Sequence, residues 1–454
     1  MAFDENYVIR GGTLVWPGGP SDPADILIKS GQITGILKPG ETVAEGVGEM
    51  DAQGLHIFPG LIDAHIHFGI AEKVEEYTTE TIYAAQGGVS TILGYWLYNG
   101  SYFDIFDQET EYASTRAFID YGFHFGMASP IHLQEMGRYV DELGVSSFKY
   151  FMNFRGDAGL YLGLEGTDDA YLYRLLEKLD KTAGSLLSCH TENIELGNMF
   201  KEKNNAREVN DLRRWEANRP PITESESCVR AMFLAEKLQA PLYIPHISSK
   251  MALDEVRRWR NRYDKIYSET CPHYLTHTAD LEIGGLGKAN PPFRRQDDVE
   301  ALWQGLADGT IDVVASDHVP RKRSTKDKPL TEASQGFPGT ATILPVLLHY
   351  GYHQNRLSLP RISELLTQTP ARIFNLAPRK GNFCVGGDAD LTFVNLDLEK
   401  EVDPKALGSF ADYSLYEGQK LKGWPVRTIV RGRTVMKDGE ITGEGGYGLY
   451  LKRS

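Results

Sequence analysis

The chain has no apolar run approaching the roughly 20 residues that a membrane span needs. Its first ten residues carry Asp4 and Glu5 and no apolar signal core, so no export is indicated. Cysteine is scarce. Cys189, Cys228, Cys271 and Cys384 are scattered, and none forms a CxxC pair. That excludes a zinc knuckle or a disulfide framework and fits a reducing cytoplasm. Positive charge is not in excess either: the net charge is −14 and the pI about 5.4. This argues against nucleic acid or an anionic membrane as partner. No internal repeat or low-complexity tract is present.

What is present is enough for a large domain and a smaller one: 454 residues, of which 41% are apolar. Residues 1–56 read as short strands broken by glycine turns, such as Tyr7–Arg10 before Gly11-Gly12 and Ile26–Ile28 before Gly31. The stretch 382–454 reads alike, with Leu391–Val394, Thr428–Val430 and Thr434–Met436. We read both ends as one small β-domain, a β-sandwich with a C-terminal tail. The middle, 57–381, alternates apolar strands with helical stretches. Strands are expected at 61–67, 90–95, 122–127, 146–151, 185–190, 242–246, 265–270 and 311–316, and helices include 73–86, 168–183, 224–238 and 250–260. Eight strands separated by helices fit an α/β fold, a (β/α)8 barrel of the TIM type with its active site at the C-terminal strand ends. A doubly wound sheet gives a similar alternation.

Several strand ends carry metal-ligand chemistry. The first closes on Asp63-Ala64-His65-Ile66-His67, and residues i and i+2 of a strand point the same way. The fourth holds Lys149 in an apolar segment, the fifth ends at His190, the sixth at His246 and the eighth at Asp317. Each has a bland reading: a hydrogen-bonded histidine, a buried salt bridge at Lys149, a helix cap at Asp317. Together they suit two divalent ions that polarise a carbonyl, supply hydroxide near neutral pH and clamp a substrate. Zn2+ is favoured by the imidazoles, with Mn2+ or Co2+ as substitutes. An unmodified Lys149 would be a cation beside two cations, whereas a carbamate formed on it with carbon dioxide would be a bridging carboxylate.

The chain resembles the cyclic amidohydrolases: dihydropyrimidinases, hydantoinases, allantoinases and dihydroorotases. The resemblance runs over nearly its whole length. It is carried by Pro59–His67, Gly87-Gly88-Val89-Ser90-Thr91, Phe148-Lys149, the segment ending at His190, Pro245-His246-Ile247-Ser248, Glu269–Leu275, Asn290-Pro291-Pro292-Phe293-Arg294 and Ser316-Asp317-His318. It implies a barrel flanked by a β-domain from both termini. It implies one metal on His65, His67 and Asp317, another on His190 and His246, and carboxylated Lys149 with a hydroxide bridging them. Asp317 would be general base and then acid. The expected activity is opening of a cyclic amide, imide or ureide ring by attack of the bridging hydroxide, and tetramers are common in the group.

Departures from the family patterns bear on the substrate. Gly69 stands where dihydroorotases resembling this chain carry a carboxylate-binding arginine, and Arg321 where they carry a histidine. Phe154 replaces the tyrosine that dihydropyrimidinases and hydantoinases place five residues after the lysine, and a phenyl ring cannot donate a hydrogen bond. Asn290 replaces a serine, and Pro338 an asparagine. Allantoinases also lack the tyrosine, but their polar sequence after the His-x-His has no clear match here. An allantoinase-type ureide hydrolase is therefore the alternative, dihydroorotase is less favoured, and a non-catalytic scaffold least, since every ligand position is filled. Substrate contacts are expected from Asn290, from Phe154 beside the oxyanion, and from the Phe337–Pro338 loop. The run Tyr95-Trp96-Leu97-Tyr98 with Tyr102-Phe103 is either loop or interface packing or an aromatic wall for a bulky substituent. Arg321-Lys322-Arg323 is either solvated charge or a hold for an anionic substituent.

Overall fold

The structure is a computed structural model that describes residues 6–70, 72–155, 159, 167–179, 184–204 and 211–453. Seven strands open the chain: β1 (Asn6–Arg10), β2 (Thr13–Val15), β3 (Ser21–Pro23), β4 (Asp25–Lys29), β5 (Gln32–Leu37), β6 (Gly48–Asp51) and β7 (His56–Pro59). Eight follow: β8 (Leu61–Ile66), β9 (Val89–Trp96), β10 (Asp120–Gly126), β11 (Ser147–Phe151), β12 (Leu186–His190), β13 (Leu242–Ile244), β14 (Ile266–Thr270) and β15 (Val313–Val314). Four more are β16 (Leu391–Glu401), β17 (Lys420–Val430), β18 (Arg433–Lys437) and β19 (Glu440–Ile441).

Strands β8 to β15 hydrogen-bond in chain order, and every pair from β10 to β15 is parallel. Helices separate them, including Glu76–Gln86, Asp169–Leu179, Pro221–Leu238 and Lys250–Arg260. This is the order of a (β/α)8 barrel, and that is the fold class. The strands are buried nearly throughout, as parallel strands covered on both faces must be. Residues 180–183 of the helix expected over 168–183 lie outside the described residues. The helix from Pro221 starts three residues before the expected one, because Pro221 suits a first helical turn.

Chain contacts define two compact units. The first comprises Met1–Leu93, Glu111–Gly122 and Gly339–Leu451. It contains a four-stranded sheet ordered β5-β4-β1-β6 and a seven-stranded one ordered β19-β18-β17-β16-β7-β2-β3. The longer sheet joins strands from both ends of the chain, with Leu391 opposite Pro59 and Phe393 opposite Ile57. Its core mixes them too: Ile9, Leu14, Ile26 and Ile57 pack with Phe383, Leu391 and Ile429. A buried ionic node lies in the same unit. Lys380 Nζ is 2.6 Å from Asp120 and Asp390 and 2.9 Å from Asp388, so an ammonium already occupies the centre of those carboxylates.

The second unit comprises Gly94–Thr110, Phe123–Pro338 and Lys452–Ser454. The two-residue period of a strand sorts its side chains. Tyr95 stacks on His124 at 4.2 Å and donates its hydroxyl to Ser188 Oγ at 3.0 Å. Trp96 faces the other way, stacked on Phe123 at 3.7 Å and near Phe125 and Phe106. Tyr102 is stacked on Phe125 at 3.9 Å, and its hydroxyl donates to the carbonyls of Trp96 and Gly126. Phe103 packs beside Tyr139 and under Arg138. Trp96, Tyr102 and Phe103 thus fill the layer between strands and helices, and of this aromatic run Tyr95 alone is described beside Lys149. Arg453, fully buried, donates to Ser147 Oγ at 2.7 Å and to the Phe123 carbonyl, while its backbone N–H bonds to Gly144 at 2.8 Å.

Candidate active site

In the first unit, β8 carries a fully buried His65 one residue before its end, and His67 follows just past the strand with its ring 5.4 Å from that of His65. The His65 backbone N–H donates to Asp63 Oδ1 at 3.3 Å.

The second unit supplies the other four candidate ligands. Lys149, on β11, is 1% exposed, and its Nζ has no hydrogen-bond partner. The ammonium lies 4.6 Å from the ring of Tyr95 and 5.3 Å from that of Phe151. Burial pushes its pKa from 10.5 down to about 8, against the pull of the Glu269 and Asp317 carboxylates. His190, at the end of β12, points Nδ1 at His246 Nε2 across 2.9 Å, and its Nε2 is 3.4 Å from Glu192. Burial lowers the His190 pKa, so the imidazole is neutral at pH 7 and its contact with Glu192 is a hydrogen bond, not an ion pair. Burial raises the Glu192 carboxyl, but His190 and Arg219 outweigh it and the net shift is downward.

His246 and Asp317 share a backbone device. Strands β13 and β15 stop short of the expected 242–246 and 311–316, and the ligand positions take φ of +42° and +48°. A non-glycine residue in that region is held there by its surroundings. For His246 the hold is visible: its N–H donates to Glu269 Oε1 at 3.0 Å, and Glu269 Oε2 accepts from Tyr243 at 2.8 Å. Each turn re-aims a side chain that a continuing strand would send to an alternating face.

The expected substrate contacts also fall in the second unit. Asn290 Oδ1 is a buried acceptor with no hydrogen-bond partner. Phe337 is buried edge-on to His273 at 4.7 Å. Its carbonyl accepts from Val319 N–H at 3.0 Å, and a bridge between His318 and Phe337 ties the Phe337–Pro338 loop to the Asp317 segment. Phe154 stacks on Phe151 at 4.4 Å, one ring removed from Lys149. Arg321 is half-buried, and its Nε has no partner.

Sequence reasoning gave no role to Glu269 and Glu192. Both lie near ligands, in Glu269-Thr270-Cys271-Pro272-His273 and His190-Thr191-Glu192, but a supporting carboxylate has no spacing rule of its own. It also passed over Lys288 and Lys326, although Lys288 sits among small and apolar residues much as Lys149 does.

Comparison with known proteins gives the family and the fold. A profile described as the Amidohydrolase family matches residues 274–435. A D-hydantoinase from Ralstonia pickettii is 33% identical, with 99% of each chain covered. A D-phenylhydantoinase from Escherichia coli is 32% identical over 98% of each. The crystal structure of a dihydropyrimidinase from Brevibacillus agri superposes with a TM-score of 0.91 at 27% identity, covering 99% of both chains. The chain belongs to the amidohydrolase family, among the cyclic amidases that include hydantoinases and dihydropyrimidinases.

Proposed function

We propose that this chain is a metal-dependent hydrolase that opens the ring C–N bond of a cyclic amide, imide or ureide of the hydantoin or dihydropyrimidine type. Its full-length relatives, hydantoinases and a dihydropyrimidinase by name, support the reaction class. The observation that carries the site is Lys149: a buried amine with no hydrogen-bond partner, within electrostatic reach of a neutral His190 and of Asp317. Such a donor set fits divalent metal. In this reading His65, His67 and Asp317 would hold one ion and His190 and His246 the other, and a carbamate on Lys149 would supply a further carboxylate ligand. Zinc is the favoured ion. When bound, the pair supplies Lewis acidity to the ring carbonyl and lowers the pKa of water.

The remaining steps belong to the protein. Asp317 takes the proton of the attacking water as oxygen bonds to the carbonyl carbon, and returns it to the ring nitrogen as the C–N bond breaks. Asn290 Oδ1 accepts from a ring N–H. Phe154 has no hydroxyl to offer the oxyanion. Glu269 acts through His246, as a positioning residue. Segments 1–56 and 382–454 form the small β-domain, and 57–381 the hydrolase barrel. A homotetramer in the cytoplasm completes the reading; among the described residues no helix is long and apolar enough to cross a membrane. The test is turnover by metal-replete protein on hydantoin, phenylhydantoin, dihydrouracil, succinimide, allantoin and dihydroorotate. Opening of allantoin alone, or of dihydroorotate alone, would overturn the assignment.

A further inference from the structure

Four cations of the second unit gather beside Asn290 and Phe337. Lys288, two residues before Asn290, is 5% exposed and donates Nζ to the Ala333 carbonyl at 2.7 Å. Lys326, fully buried, donates to the carbonyls of Lys288 and Ser334, both at 2.9 Å, and lies 5.6 Å from the Phe337 ring. Arg219 and Lys288 both lie against Trp215, at 4.0 and 4.8 Å. Arg321 is within electrostatic reach of Lys326.

Their counter-charge is small. Arg219 has Glu192, 3.5 Å away and next but one to His190. Among the described residues no carboxylate pairs with Lys288, Lys326 or Arg321. Buried cations are ordinarily paired. Burial comes first in lowering both lysine pKa values, Lys288 to about 8 and Lys326 well below its ordinary value, and neighbouring cations add to it. Stapling one loop to another does not require this charge, since a glutamine amide also donates to a carbonyl. The surplus is what an anionic ligand would neutralise.

We propose that Arg321, Lys288 and Arg219 form a subsite for a carboxylate on the substrate's ring substituent, so that the preferred substrates are cyclic ureides with a short acidic side chain, as in the hydantoins of aspartate and glutamate. Lys326 holds the subsite's floor by joining the Lys288 backbone to Ser334. This rests on the ring-opening assignment.

The experiment compares hydantoin-5-propionic acid with its neutral isostere, hydantoin-5-propionamide, on metal-replete protein. Binding is followed by calorimetry and turnover by kcat/KM, for wild type, Arg321→Gln and Lys288→Gln. One charge-assisted hydrogen bond corresponds to about a ten- to hundred-fold preference for the acid. That preference is expected to appear in Kd and KM, to weaken with salt, and to fall to within about threefold in Arg321→Gln. Lys288→Gln keeps a donor for Ala333 and should lose part of the preference without a drop in Tm. Equal binding of acid and amide by wild type overturns the subsite, as does a preference that survives both substitutions. Tighter, Arg321-dependent binding of the acid with neither ring opened would uphold the subsite and refute the ring-opening assignment.

Discussion

Replacing Lys149 with methionine should stabilise the metal-free protein while abolishing metal binding. The ammonium is 1% exposed with no hydrogen-bond partner, and burial lowers its pKa from 10.5 to about 8. A lysine whose folded pKa is depressed destabilises the fold fully below the folded pKa, where both states are protonated. The penalty shrinks as pH rises from about 8 and is gone above about 10.5. A shift of that size corresponds to about 3 kcal/mol at pH 7. Lys149→Met removes the charge and keeps an unbranched chain of similar length, so the chelator-treated variant should be more stable than chelator-treated wild type by about 3 kcal/mol at pH 7. Urea unfolding in carbonate-free buffer at pH 7 and at pH 10.5 reads the difference, which should collapse at the higher pH. Elemental analysis of metal-replete variant should show well under two ions per chain. A metal-free Lys149→Met protein that is less stable than wild type at pH 7, by a margin that does not change with pH, would refute the reasoning: Lys149 would then be making a favourable contact, not waiting for modification.

Two further substitutions probe the chemistry. Asp317→Asn should keep the fold, since Asp317 sits at a positive φ that asparagine also tolerates, yet lose at least about a hundredfold in kcat because an amide cannot shuttle the proton. Full activity would move the base elsewhere, with His318 the next candidate. Phe154→Tyr should change kcat several-fold while metal content stays constant, because Phe154 stacks on Phe151 and not on a ligand; an equal change in metal content would place it in the metal site.

The barrel was legible because each parallel strand is a short apolar run bounded by polar turns, and all eight expected strands overlap observed ones. Their ends were less so. The runs 242–246 and 311–316 look like strands to the last residue, but the chain leaves the β-region at His246 and Asp317, where backbone conformation is set by contacts such as that of Glu269 with the His246 N–H. Hydropathy carries no trace of those contacts. The Tyr95–Phe103 run shows the limit from the other side. Composition marks it as unusual, but the facing of each ring follows from strand register and from Phe123, Phe125 and Tyr139, which come later in the chain. The surplus of buried positive charge around Lys288 was invisible for the same reason: its members come from three separate segments, at 219, at 288 and at 321–326.

The bond between Ser147 and Arg453 has a bearing on biosynthesis. Ser147 lies two residues before Lys149, and its partner lies 306 positions further along. At translation rates of about 5–20 residues per second, a ribosome needs roughly 15–60 s to cover that interval. Throughout it, Ser147 on β11 and the Gly144 carbonyl just before that strand await an arginine partner that has not yet been made. The strand bearing the central lysine is therefore finished late, and a nascent chain paused anywhere in that interval exposes a half-assembled parallel sheet, the kind of surface on which chaperones act and aggregates start.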